Sequence, residues 1–225
     1  MKFSLLRSCV LATGVFAGAL CLYSQGTPAK EAEHETQGMP PRATPGDYQA
    51  HTQVGSLTLA AEFDGHFVPV PEGTLTNDDF VVVETALFGP ADAKLKLSWS
   101  DFSIRINGKK VATPSQPYGM VASSLKDPNW IPPESEGDSK SKTKFGSAGG
   151  GPNDSSPPPT PKVPIELRRA MTQHTQKASL AEGERPLPQA GLIFFPFSGK
   201  AKSIRTVELI YSGPAGQATL ELRPE

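Results

Sequence analysis

Asp79-Phe80-Val81-Val82-Val83-Glu84-Thr85-Ala86-Leu87-Phe88 decides the fold class. It is apolar at nearly every position and rich in β-branched side chains, the composition of a strand covered on both faces. Gly89-Pro90 ends it, because proline cannot continue a sheet ladder. On its N-terminal side Val54, Leu57, Leu59, Ala61 and Phe63 interleave with Thr58 and Glu62. That period of two predicts a half-buried strand. On its C-terminal side Leu95, Leu97 and Trp99 alternate with Lys94, Lys96 and Ser98, and Phe102, Ile104 and Ile106 alternate with Ser103 and Arg105. Two more half-buried strands follow. Asn107-Gly108 comes next, and because both residues tolerate positive φ the pair predicts a type I′ hairpin into Lys109-Lys110-Val111.

After a turn-rich stretch at 182–189, the C-terminal third adds strands over residues 192–197, 204–211 and 217–222, the last two linked by Ser212-Gly213-Pro214-Ala215-Gly216. One helix is expected over 164–178. Pro164 suits a first turn, and Leu167, Ala170, Met171, His174 and Ala178 fall at helical spacing on one face. Seven to eight short strands joined by hairpins, with one crossover helix, define an all-β antiparallel sandwich.

Several segments of this pattern resemble a group of bacterial exported domains. Ala60-Ala61-Glu62-Phe63 is followed by residues 79–87 and by Ser100-Asp101-Phe102-Ser103-Ile104-Arg105-Ile106-Asn107-Gly108. Later come Gly191-Leu192-Ile193-Phe194-Phe195 and Val207-Glu208-Leu209-Ile210-Tyr211. Together these are similar to the immunoglobulin-like, telokin-like secreted domains of unknown function. The resemblance spans roughly residues 54–110 and 191–222, while the stretch between departs from it. It implies an immunoglobulin-like fold and carries no chemistry.

Composition sets the organisation around the sandwich. The 225 residues are 37% apolar and 20% charged, with 23 Pro and 21 Gly. These values exclude a coiled coil, a collagen repeat and a polytopic membrane protein. Lys2 and Arg7 precede an uncharged apolar run over residues 8–24, which predicts a cleaved secretory signal peptide at 1–24. Both cysteines, Cys9 and Cys21, lie within it, so the mature chain is expected to carry no thiol and no disulfide. Loss of Lys2 and Arg7 leaves 20 basic against 23 acidic residues, a balance that points to neither nucleic acid nor an anionic membrane. No membrane span is expected after signal removal. Residues 25–50 are expected to be a flexible leader, and the domain to occupy 51–225. A Pro-, Gly- and Ser-rich insertion at 134–161 interrupts it, too poor in apolar side chains to order itself.

Catalytic patterns are lacking in the sequence. There is no Gly-x-Ser-x-Gly elbow. His34-Glu35 begins like a zinc motif, but Gly38 stands where its second histidine is required. Gly146 and Gly151 have phosphate-loop spacing, but Pro152-Asn153 replaces the lysine and hydroxyl. The expectation is a non-enzyme with no catalytic residues, no metal and no cofactor. A candidate binding surface is assigned to Tyr118, Trp130, His66 and Glu84. Tyr118 and Trp130 are loop aromatics able to stack on a sugar. His66 lies in a loop with Asp64. Glu84 is an acid inside an apolar strand, expected either to face solvent at an edge of the sheet's cover or to be buried and paired with a cation such as Arg105 or Lys96. The expected role is an interaction or structural module in the periplasm or outside the cell, with an envelope or extracellular protein as partner. The alternative is a glycan or small-ligand binding module.

Overall fold

The computed structural model describes residues 38–132 and 163–224. The expected signal peptide, the leader up to residue 37 and the insertion at 134–161 lie outside the described residues. In chain order the strands are β1 (Ala50–Val54), β2 (Leu57–Gly65), β3 (Phe67–Val70), β4 (Gly73–Asn77), β5 (Phe80–Phe88), β6 (Lys94–Leu97), β7 (Phe102–Ile106), β8 (Thr113–Pro114), β9 (Leu125–Lys126), β10 (Gly183–Pro186), β11 (Gln189–Pro196), β12 (Val207–Gly213) and β13 (Gly216–Leu222). The helices are α1 (Tyr118–Val121) and α2 (Ile165–Ala178).

Two four-stranded antiparallel sheets, β1-β2-β5-β11 and β13-β12-β7-β8, form the sandwich. Its interior is made by alternate residues of both sheets. Leu59, Phe63, Val81, Val83, Ile193 and Phe195 of the first pack against Phe102, Ile104, Leu209 and Leu220 of the second. Gln49 closes one edge through its side chain, whose Nε2 donates to Arg223 O at 2.6 Å while its Oε1 accepts from Arg223 N at 3.2 Å.

The other face of β5 is covered as well, which is why its sequence hardly alternates. A three-stranded sheet, β3-β4-β9, and helix α2 cover its first half, where Phe80 and Val82 meet Val68, Leu75, Met171 and Leu192. Over its second half lies the chain segment ahead of β1. Ala60, Ala86 and Ala190 stand side by side across β2, β5 and β11 and make a shallow trough. Tyr48 fills it, 5% exposed and edge-on to Phe88 at 6.1 Å. Residues 38–49, part of the stretch expected to be a flexible leader, therefore lie on the sheet. Met39 and Tyr48 supply the anchorage.

β11 is an edge strand, and three separate segments satisfy its outward carbonyls. Met39 N donates to Ala190 O, Leu180 N to Leu192 O and Gln116 N to Phe194 O, at 2.9, 3.0 and 2.8 Å. Such capping keeps an apolar edge from pairing with another chain. Leu180 runs so close that a Cβ on Gly191 would sit 2.5 Å from its backbone nitrogen.

Three local expectations are refined. The strand expected from Val54 is a hairpin of two, because Gly55, at φ 58, turns the chain between β1 and β2. Asn107 and Gly108 do take positive φ, 54 and 65, and Lys109 N closes the turn onto Ile106 O at 3.3 Å. No strand follows at 109–111, however. β7 pairs instead with β8, Ser103 opposite Pro114. Asn107 explains the difference, since its side chain accepts from Arg205 N and donates to Ser203 O, tying the turn to the entry of β12. The segment at 182–189, expected as turns, contains β10, which pairs with β6.

Candidate functional site

The outer face of the first sheet carries acids at alternate positions of β2 and in the middle of β5. Glu62 and Glu84 are cross-strand partners. Two carboxylates placed opposite each other repel, so this register needs a cation. Arg42 supplies it from the segment ahead of β1, reaching Glu84 Oε2 at 2.8 Å and pairing also with Glu62. Its remaining bonds pre-set its position: Nη1 donates to Asp47 O at 2.7 Å, its backbone N donates to Tyr48 Oη at 3.1 Å, and the guanidinium lies 4.6 Å from the Tyr48 ring centre. Burial disfavours the charge on Arg42, but the hydrogen bonds to Glu62 and Glu84 outweigh it and hold the guanidinium above its ordinary range. Glu84 is thus a paired acid, 5% exposed. The expected partners Arg105 and Lys96 are replaced, since Arg105 instead meets Glu208 at 2.5 Å on the sheet across the sandwich.

Asp64 is the third acid. The ladder between β2 and β5 shifts register between Phe63 and Gly65, and Asp64 is the extra residue of that bulge. Its Oδ2 accepts from Glu84 N at 3.2 Å, and no ion pair joins it to a cation among the described residues. Burial, then the charges of Glu84 and Glu62, push its carboxyl up to about 7.

A cleft of about 540 Å³ opens beside this group, lined among others by Asp47, Tyr48, Glu62, Asp64, His66 and Phe67. Phe67 is 58% exposed, an isolated aromatic ring at the start of β3. His66 forms part of the wall. Its Nδ1 lies 2.8 Å from Asn77 O and 2.9 Å from Phe80 O, and its Nε2 lies 2.9 Å from Gly199 O. It knits the end of β2 to the entry of β5 and to the loop after β11. The residue is therefore a backbone tie on the flank of the cleft.

The four candidate residues do not form one surface. His66 and Glu84 belong to the region around the cleft, on the β2–β5 side. Tyr118 opens α1 and is half-buried against the second core cluster. Trp130 is half-buried, and no ring contact joins it to Tyr118 among the described residues. His174 lies 3.1 Å from Glu72 at the rim of a separate small hollow between α2 and the β3-β4 hairpin. The residues that make the cleft distinctive, Tyr48, Asp64 and Phe67, and the neighbouring Arg42 are outside the expected set. One partial signal was present in the sequence: Glu62 and Asp64 alternate with Ala61 and Phe63, and Glu84 interrupts an apolar strand.

Chemically, the cleft offers the carboxylates of Asp47, Glu62 and Asp64, the last titrating near neutrality, beside the rings of Tyr48 and Phe67. No cluster of three or more histidine and acidic side chains is placed to hold a metal among the described residues. Among the described residues no helix is long and apolar enough to cross a membrane. Comparison with family models, with curated proteins and with solved structures returns no match for this chain.

Proposed function

We propose that this chain is an exported, non-enzymatic β-sandwich of the immunoglobulin-like type. It acts as a docking module in the bacterial periplasm or outside the cell, and the cleft beside Asp64 takes a cationic side chain of a partner protein. Export is supported by the signal-like sequence at 1–24, and the non-enzymatic role by the lack of any nucleophile or metal pattern in the sequence. The observation that carries the docking reading is the pairing of an acid without a cation, Asp64, with an exposed ring, Phe67, in one cleft. Carboxylate and aromatic face together favour a lysine or arginine head group, through charge and through the ring quadrupole.

The test uses the full mature chain and fluorescent hexapeptides that are basic, neutral or acidic, read by polarisation. Basic peptides bind, and bind more tightly at about pH 8 than at about pH 6, because ionisation of Asp64 adds a negative charge to the cleft. Asp64→Asn and Phe67→Ser weaken that binding, whereas Met120→Ser, at an exposed side chain on α1, leaves it unchanged. Equal affinity for the three peptide classes would refute this role. Glycan-array binding lost with Phe67→Ser would replace it with the carbohydrate-binding alternative.

A further inference from the structure

The segment ahead of β1 sits on the sheet as a peptide sits in a groove. It has three proline residues, Pro40, Pro41 and Pro45, which limit its freedom before it docks. Its side-chain anchors are Arg42 on the carboxylate pair and Tyr48 in the alanine trough, six residues apart. Its backbone adds single bonds at its far end, Gly38 N to Lys177 O at 2.8 Å and Met39 N to Ala190 O at 2.9 Å. None of its residues belongs to the sandwich interior, which begins at Val54. Beneath the segment the receiving surface is already shaped. Three alanines stand in register across three strands, and two acids face each other where only a cation can make them compatible.

We propose that residues 38–48 are a detachable strap that occupies, in cis, a groove built to bind an arginine-bearing segment of a partner protein. The partner's segment is extended and carries an arginine about six residues ahead of an aromatic side chain. Its guanidinium takes the place of Arg42 between Glu62 and Glu84, and its ring takes the place of Tyr48 over Ala60, Ala86 and Ala190. In the resting protein the strap competes at the high effective concentration of a tethered ligand, in the millimolar range, so a partner binds only where it outcompetes the strap. The idea rests on the docking role proposed above and extends it from the open cleft to the adjoining covered strip.

The experiment has two arms on the full mature chain. In the first, hydrogen exchange of the unmodified protein is followed residue by residue. The amides of Gly38, Met39 and Arg42 exchange at least about a hundredfold ahead of those of Val83 and Ile193, as a unit that opens without global unfolding. Exchange of strap and core at the same rate would overturn the proposal. In the second, a fluorescent synthetic peptide with the sequence of residues 38–49 is titrated against the protein and against the double variant Arg42→Ala, Tyr48→Ala, whose groove is untouched. The variant binds the peptide at least about tenfold more tightly than the unmodified protein, since the tethered competitor has lost both anchors. The same peptide with alanine in place of its arginine binds neither. Failure of the variant to bind the peptide while its strap amides are released would sink the idea. If the variant does not fold, the exchange order of the unmodified protein decides. Peptide failure alongside retained, Phe67-dependent binding of basic hexapeptides would remove the strap proposal and leave the cleft standing.

Discussion

Asp64→Asn should make the protein more stable at mildly alkaline pH and leave it nearly unchanged in acid. In the folded chain the Asp64 carboxyl is held at about 7 against an ordinary 3.8. Below the lower value both folded and unfolded chains carry the proton, and the residue costs nothing. Between the two, the unfolded chain releases the proton while the folded chain keeps it, so stability falls as pH rises. Above about 7 both are ionised and the full cost is present. At about 1.4 kcal/mol per unit, the whole interval corresponds to roughly 4 kcal/mol. Asp64 is only partly covered and water at the cleft mouth screens part of this, which brings the expected gain for asparagine to about 2 kcal/mol at pH 8. Asparagine keeps the oxygen that accepts from Glu84 N, so the backbone bond survives the change.

The assay is urea unfolding of both proteins at steps across about pH 4 to 8.5, followed by circular dichroism. Subtracting one curve from the other cancels every group the two proteins share. The difference should open from near zero at the acid end, grow through the interval and level off above about pH 7. For a domain of this size 2 kcal/mol raises the melting temperature by roughly 4 to 8 °C. Parallel curves, or an asparagine variant less stable at pH 8, would refute the argument that Asp64 is a half-buried acid with no ion-pair partner among the described residues.

Arg42→Ala should cost about 2 to 3 kcal/mol at neutral pH, because it leaves Glu84 buried opposite Glu62 with no cation. Adding Glu84→Gln to it should restore at least about half of that loss in thermal unfolding, and a strictly additive double variant would contradict the pairing. Gly191→Ala should destabilise by about 2 kcal/mol or more, since its Cβ meets the Leu180 backbone. Gly119→Ala, with nothing within 4 Å of the added Cβ, should stay within about 0.5 kcal/mol of the parent, and equal melting temperatures for the two variants would contradict this account. Asn107→Ala should lower stability by about 1 to 2 kcal/mol through loss of its bonds to Ser203 and Arg205. An unchanged denaturation midpoint would show that the 107–108 turn does not depend on them.

The parts of the fold legible from sequence are those where burial and period agree. β5, β7 and β12 announce themselves because each alternation, or its absence, matches what covers the strand. β1 was not legible, since Ala50 and Thr52 are only partly covered, His51 and Gln53 are exposed, and the four carry no apolar rhythm. The β3-β4 hairpin escaped for a related reason. Phe67 is exposed while Val68, Val70 and Leu75 reach only a secondary core. The proline-rich composition of residues 38–49 suggested freedom, yet Met39, Arg42 and Tyr48 anchor the segment on the sheet. Composition averages over a segment and cannot register three well-placed anchors.

The candidate site shows the same limit from the other side. Glu84 stood out because an acid in an apolar strand demands an explanation, and the expectation of a cation beside it was sound in kind. The choice of Arg105 failed because parity along one strand says which face a side chain takes but not which distant segment lies over that face. Arg105 sits on β7, on the sheet across the sandwich from Glu84's own, whereas Arg42 comes over the outer face from more than forty residues upstream. Asp64 was hidden for a subtler reason. Without its bulge it would sit in the ladder opposite Val82, where Gly65 now stands. The one-residue shift turns its carboxylate onto the amide of Glu84 and into the low-dielectric margin of the sheet. A local irregularity of the backbone, not the identity of the residue, is what makes it the acid that titrates near neutrality.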